Sequence, residues 1–168
     1  MRRLPLALAA LCILGFPVGP ASAFQEMPLP RQADIWQPAA TPRGGVSWAV
    51  LEATREIART GPDGYILSKP AFTPQVRALA GKRIKVAGWM SAFEPCRRQT
   101  HFLLLAYPPG CPFHFHAAPN QFIEIEAAVA FPLDEVRPLV LTGVLELTGQ
   151  DESGIFYRLT AARPDGGG

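Results

Sequence analysis

At Gly81 the chain changes its hydrophobic rhythm, and the change restricts what it can fold into. Beyond that point Ile84, Val86, Gly88 and Met90 alternate with Arg83, Lys85, Ala87 and Trp89, the period of two that belongs to a half-buried strand. His101–Tyr107 is almost continuous apolar sequence, which suits a strand covered on both faces. In a third strand, Phe122, Glu124 and Glu126 alternate with Ile123, Ile125 and Ala127. Leu139–Thr148 and Ile155–Ala162 flank a polar turn, Gly149-Gln150-Asp151-Glu152-Ser153-Gly154, and complete the set. Gly88 and Gly143 fall inside strands, where glycine marks a bulge, a sharp bend or a close approach of backbone. Five short, bent strands predict a mainly β fold with short helices (α+β), a small five-stranded OB-like barrel. A flat antiparallel sheet packed on the helices is the alternative.

Two helices are expected before the strands. Ser47 caps the first, whose apolar residues Val50, Leu51, Thr54, Ile57 and Ala58 share one face until Gly61-Pro62 stops it. The second is short, with Thr73 as cap, Pro74 at the first helical position and Gly81 after its end.

The N-terminus has a different character. Met1-Arg2-Arg3 precedes an apolar stretch from Leu4 to Phe16, then Pro17, Gly19 and Pro20, and finally Ala21-Ser22-Ala23. That is the charged, apolar and small-x-small order of a secretory signal cleaved after Ala23. The apolar stretch is too short for a permanent membrane anchor. Removing residues 1–23 from 168 leaves 145, one domain's worth. Residues 24–45, rich in Pro, Gly and Gln, read as a flexible leader, 46–163 as the β-rich domain, and 164–168 as a disordered tail. Loss of Arg2 and Arg3 brings the formal charge of +2 to about zero, so the mature chain has no electrostatic reason to bind nucleic acid.

Chemistry-bearing side chains concentrate in one place. All three histidines, and both cysteines left once Cys12 departs with the signal, fall between Cys96 and His116. The densest part is the inter-strand loop Pro109-Gly110-Cys111-Pro112-Phe113-His114-Phe115-His116. Cys111 and His114 have the Cys-x-x-His spacing by which one turn presents a thiolate and an imidazole to the same ion, and His116 supplements or replaces His114. Sulfur with imidazole suits zinc or copper rather than calcium or magnesium. A closed structural site needs four ligands, so the last falls to water, a carboxylate such as Glu124, a leader residue or a partner. The bland alternative makes both histidines ordinary loop residues, with Phe113 and Phe115 filling the core.

Cys96 precedes the strand that Cys111 follows. A seven-residue strand spans roughly 20 Å, whereas a disulfide needs Cα atoms within about 7 Å; a Cys96–Cys111 bond therefore requires a long loop to fold back. His101 reads as a strand-end histidine facing water, and Glu124 with Glu126 as a solvated face on one side of a strand. No Gly-x-Ser-x-Gly, His-Glu-x-x-His or Gly-rich phosphate loop is present, so no catalytic constellation is recognisable.

The blocks Gly45-Val46-Ser47-Trp48, Ala80–Met90, His101-Phe102-Leu103-Leu104, Cys111-Pro112-Phe113 and Pro119-Asn120-Gln121, in that order, resemble a family of secreted bacterial proteins known only as a domain of unknown function. The resemblance implies a small OB-like barrel associated with envelope ABC transport systems or with metal handling. Similar proteins carry a second cysteine where this chain has His114, or a histidine close to the first cysteine; either keeps soft-metal character. The proline usual after the first strand is absent, since Met90 is followed by Ser91-Ala92-Phe93.

Three functional expectations result. The first is a periplasmic metal-binding accessory protein holding zinc or copper through Cys111, His114 and His116. The second is a non-catalytic OB-like interaction module partnering an envelope transport system, and the third a thiol enzyme or redox protein using Cys111.

Overall fold

The computed structural model describes residues 37–110 and 117–165. The five strands after Gly81 close into a barrel, and the flat-sheet alternative is not what forms. Two helices, α1 (Trp48–Glu52) and α2 (Pro74–Arg77), and a two-stranded hairpin, β1 (Arg55–Thr60) with β2 (Ile66–Ala71), precede it. The barrel strands are β3 (Arg83–Ala92), β4 (Arg98–Leu105), β5 (Phe122–Pro132), β6 (Leu139–Leu147) and β7 (Tyr157–Pro164). Their order is β3-β4-β5-β7-β6, with β6 returning to β3. All pairings are antiparallel except β5 with β7.

Closure depends on β3 serving two neighbours. Residues Arg83–Gly88 pair with β6, and Trp89–Ala92 pair with β4. Gly88 stands at the changeover. A Cβ there would lie 2.6 Å from the Leu105 carbonyl oxygen and 2.7 Å from Leu104 Cγ, so only a residue without a side chain lets β3 bend across β4. Inside lie Ile84, Val86, Met90, Phe102, Leu104, Ile123, Ile125, Leu141, Leu145 and Leu159, the inward members of each alternating strand.

The second helix forms as its sequence requires. The Thr73 hydroxyl accepts from the Val76 amide, Pro74 opens the helix, and Gly81 takes φ +71°, which suits glycine. The first helix is much shorter than expected. It ends at Glu52, and 55–60, expected to continue it, instead make β1, paired from Arg55↔Ala71 to Thr60↔Ile66. The spacing of Ile57 and Ala58 mimics a helical face, but Thr54 and Ile57 are β-branched, and 66–71 supplies a strand partner. Gly61-Pro62-Asp63-Gly64 is accordingly a hairpin turn rather than a helix stop, with the Gly61 amide bonded to the Tyr65 carbonyl at 2.7 Å.

The described part of the expected leader, residues 37–45, packs on the barrel. Ala39 is buried and its amide donates to the Ala106 carbonyl at 2.8 Å. At the other end the Asp165 amide donates to Val140, and its carboxylate pairs with Lys85 at 2.8 Å. Residues 1–23, expected as a signal, lie outside the described residues. Among the described residues no helix is long and apolar enough to cross a membrane.

Because Gly88 lets β3 change partners, Gly88→Ala should cost about 1–3 kcal/mol through overpacking against backbone. Urea unfolding measures it, and a variant as stable as the parent would show that closure does not depend on this contact.

Candidate functional site

A five-residue helix leaves its last carbonyls without helical partners, and α1 meets this need with side chains from the far end of the chain. The Tyr157 hydroxyl donates to the Leu51 carbonyl at 2.7 Å and sits 2.6 Å from the Thr54 hydroxyl. Burial pushes the Tyr157 pKa up to about 12, so the phenol stays protonated and keeps donating. Asn120 Nδ2 donates to the carbonyls of Glu52 (2.9 Å) and Thr54 (3.0 Å). Trp48 Nε1 donates to Ala87 of β3 at 2.7 Å, which fixes the other end of α1.

Glu52 then becomes an anchor for the β4–β5 loop. Its Oε1 accepts from the Tyr107 hydroxyl and from Gln121 Nε2, each at 3.0 Å. Tyr107 lies where the loop departs and Gln121 where it returns, so one carboxylate fastens both ends. Burial and the bond to Glu52 raise the Tyr107 pKa. The Ala106 amide donates to the Gln121 carbonyl at 2.9 Å, and Gln121 exchanges bonds with Ala118 through backbone and side chain. Cys111, His114 and His116, the expected metal ligands, lie on this loop but outside the described residues, as do Phe113 and Phe115.

A second constellation lies on the outer surface of β4, β5 and β7. Glu124 was expected on a solvated face; instead its side chain is only 10% exposed, because its neighbours close over it. Oε1 is 2.9 Å from His101 Nε2, while Oε2 accepts from Arg158 Nε at 2.9 Å and pairs with its terminal nitrogen at 2.8 Å. Arg158 also reaches Glu126 at 3.3 Å, so the two acids do share a side, bridged by a guanidinium. Burial alone would raise the Glu124 pKa, but the bonds from His101 and Arg158 outweigh it and hold it below the usual carboxylate range. An ionised carboxylate only accepts, so His101 Nε2 is the donor in this bond. The His101 side chain is 55% exposed, as a water-facing histidine should be, yet it is held by Glu124 and by Phe93, whose ring centroid is 4.7 Å away. Among the described residues, no group of three or more His, Cys, Asp or Glu side chains is placed to hold a metal ion.

Residues 45–163 match the family model described as "Protein of unknown function (DUF3299)". The chain belongs to the DUF3299 family. Among solved structures it is similar to the crystal structure of a DUF3299 family protein from Pseudomonas aeruginosa PAO1, at 22% identity and a TM-score of 0.45, covering 58% of this chain and 68% of that one. No curated protein matches the chain.

Two features of this DUF3299 chain escaped the sequence reading. Glu52 falls within the expected first helix with no role, and Arg158 falls within the expected last strand with nothing to single it out. Alternation around Glu124 showed only which side it faces; the basic residue of β7 that would neutralise it depends on the parallel β5–β7 pairing, Glu124↔Arg158. Both its oxygens are engaged, Oε2 by Arg158 of β7 and Oε1 by His101 of β4. Cys96 is an exposed free thiol in the β3–β4 connection, at the opposite end of β4 from 106–110.

Glu124's lowered pKa means its stabilising contribution is present above the ordinary carboxylate range and lost as pH falls through the lowered value. Arg158→Met should cost about 1–3 kcal/mol at neutral pH by leaving a buried carboxylate underpaired. Its deficit should shrink as pH falls through the parent's lowered value, where the parent's carboxylate protonates as well. Denaturation across pH measures both, and a deficit independent of pH contradicts the assignment.

Proposed function

We propose that this DUF3299 chain is a periplasmic metal-binding accessory protein, exported by a signal cleaved after Ala23, that takes zinc or copper through Cys111, His114 and His116. The observation that supports this reading is the double fastening of the β4–β5 loop by Glu52. A thiolate and an imidazole on one turn meet the same ion at a smaller ordering cost when the turn is held in place, and a carboxylate bonded to both ends of the loop supplies such a root. The donor set fits the ion: thiolate with imidazole is the combination that zinc and copper prefer. The remaining position falls to water, a carboxylate such as Glu124, a leader residue or a partner's side chain. An open position suits a protein that passes its ion on.

The exported protein, purified without a metal-affinity tag, should carry about one equivalent of zinc or copper with Cys111 reduced. Cys111→Ser combined with His114→Ala should abolish binding, and His101→Ala should leave it intact. Glu52→Ala, which unfastens the loop, should weaken affinity about tenfold. Metal retained in the double variant, or lost equally from His101→Ala, would sink the loop assignment. No metal and no free Cys111 thiol would favour the other reading, a non-catalytic interaction module partnering an envelope transport system.

A further inference from the structure

The β1–β2 hairpin stands apart from the barrel strands in one respect: all six residues of β1 are exposed. Its hydrogen bonding shows why this matters. Opposed residues of an antiparallel pair alternate between bonded and non-bonded pairs. The Gly61 amide bonds to Tyr65, so Arg59↔Leu67, Ile57↔Lys69 and Arg55↔Ala71 are the bonded pairs that follow in register. Glu56, Ala58 and Thr60 therefore turn their N–H and C=O groups away from β2. The partner of Ala58 confirms this phase, because Ser68 directs its own backbone outward to Glu152 and Gly154 at 3.1 Å each. The far edge of β2 is thus occupied, whereas no described residue bonds the outward groups of β1 outside the hairpin. The register of β1 with β2 runs without a shift, and β1 contains neither proline nor glycine, so nothing in its backbone blunts the edge.

The side chains decide what could pair there. Ser68 and Pro70 are buried, so the face they share with Glu56 and Ala58 turns toward the protein. The opposite face presents Arg55, Ile57 and Arg59 with Lys69 beside them, and Glu152, ion-paired to Arg59, is the acid there. Pairing with a second copy, antiparallel about Ala58, would set each Arg59 opposite an Ile57 and bring together two faces that each carry Arg55, Arg59 and Lys69 against the single acid Glu152. An incoming strand with acids opposite the arginines and an apolar residue opposite Ile57 meets the opposite situation. We infer that the free edge of β1 is a docking site for an extended, acidic–apolar alternating segment of a partner protein, which adds to the hairpin as a third strand. This site is independent of any ion on the β4–β5 loop.

The test uses a fluorescent peptide alternating glutamate with valine, titrated with the full exported chain, beside the same peptide with lysine for glutamate. The glutamate peptide should bind saturably and the lysine peptide should not. Ala58→Pro removes an N–H that β2 does not use, as Pro70 does at an equivalent outward position, and should weaken binding about tenfold. Arg55→Glu leaves every backbone bond in place and should shift preference toward the lysine peptide, which keeps the test decisive if the proline variant folds poorly. Absence of binding, equal binding of both peptides, or unchanged affinity in both variants overturns the proposal. So does a concentration-dependent dimer that Ala58→Pro dissolves, since the edge would then belong to a second copy.

Discussion

The change of partner within β3 is the constraint on which the rest of the structure depends. A single strand must pair with β6 over its first half and β4 over its second, and a barrel closes only where its backbone can cross its neighbour at short range. Gly88 allows that crossing: its missing side chain leaves room for the Leu105 carbonyl. Once β3 is bent, β4 and β6 are fixed on either side, and β5 and β7 complete the ring through their parallel pairing. That pairing buries Glu124 against Arg158, and β4 adds His101. The charged cluster on the outer surface is thus a consequence of strand order.

Closure also creates a need at one end of the barrel. The short helix α1 buries Trp48 and Leu51 but leaves carbonyls that water reaches poorly, and burial without partners would cost about 1–3 kcal/mol each. Tyr157 and Asn120 supply the partners. Among the described residues no buried side-chain nitrogen or oxygen lacks one. Because Asn120 and Gln121 lie at the return of the β4–β5 loop, satisfying α1 and fastening the loop are the same event. Glu52 serves both ends, which makes the proposed metal-binding segment an extension of a hydrogen-bond network already required by the fold.

The barrel was legible because 83–90 and 122–127 carry a period-two pattern and 101–107 a continuous apolar run, punctuated by Gly81 and by the turn at 149–154. The second helix was legible from its cap, Thr73-Pro74. The first helix misled because Val50, Leu51, Thr54, Ile57 and Ala58 fit a helical face while Thr54 in fact turns its hydroxyl to Tyr157, more than a hundred residues away. Such distant pairing leaves no local trace. The same limit hid Arg158: alternation tells which face a residue occupies, but which residue stands beside it on the next strand follows only from topology. The loop of Cys111, His114 and His116 was conspicuous from composition alone, whereas its anchor, Glu52, had nothing to mark it.

X-ray absorption at the zinc or copper edge of the exported protein tests the central claim most directly, because it reports the atoms around the ion. The account predicts a first shell containing one sulfur at about 2.3 Å together with imidazole nitrogen at about 2.0–2.1 Å. A shell of oxygen and nitrogen alone would contradict it, since the Cys111 thiolate is the ligand that gives the proposed site its preference for zinc or copper.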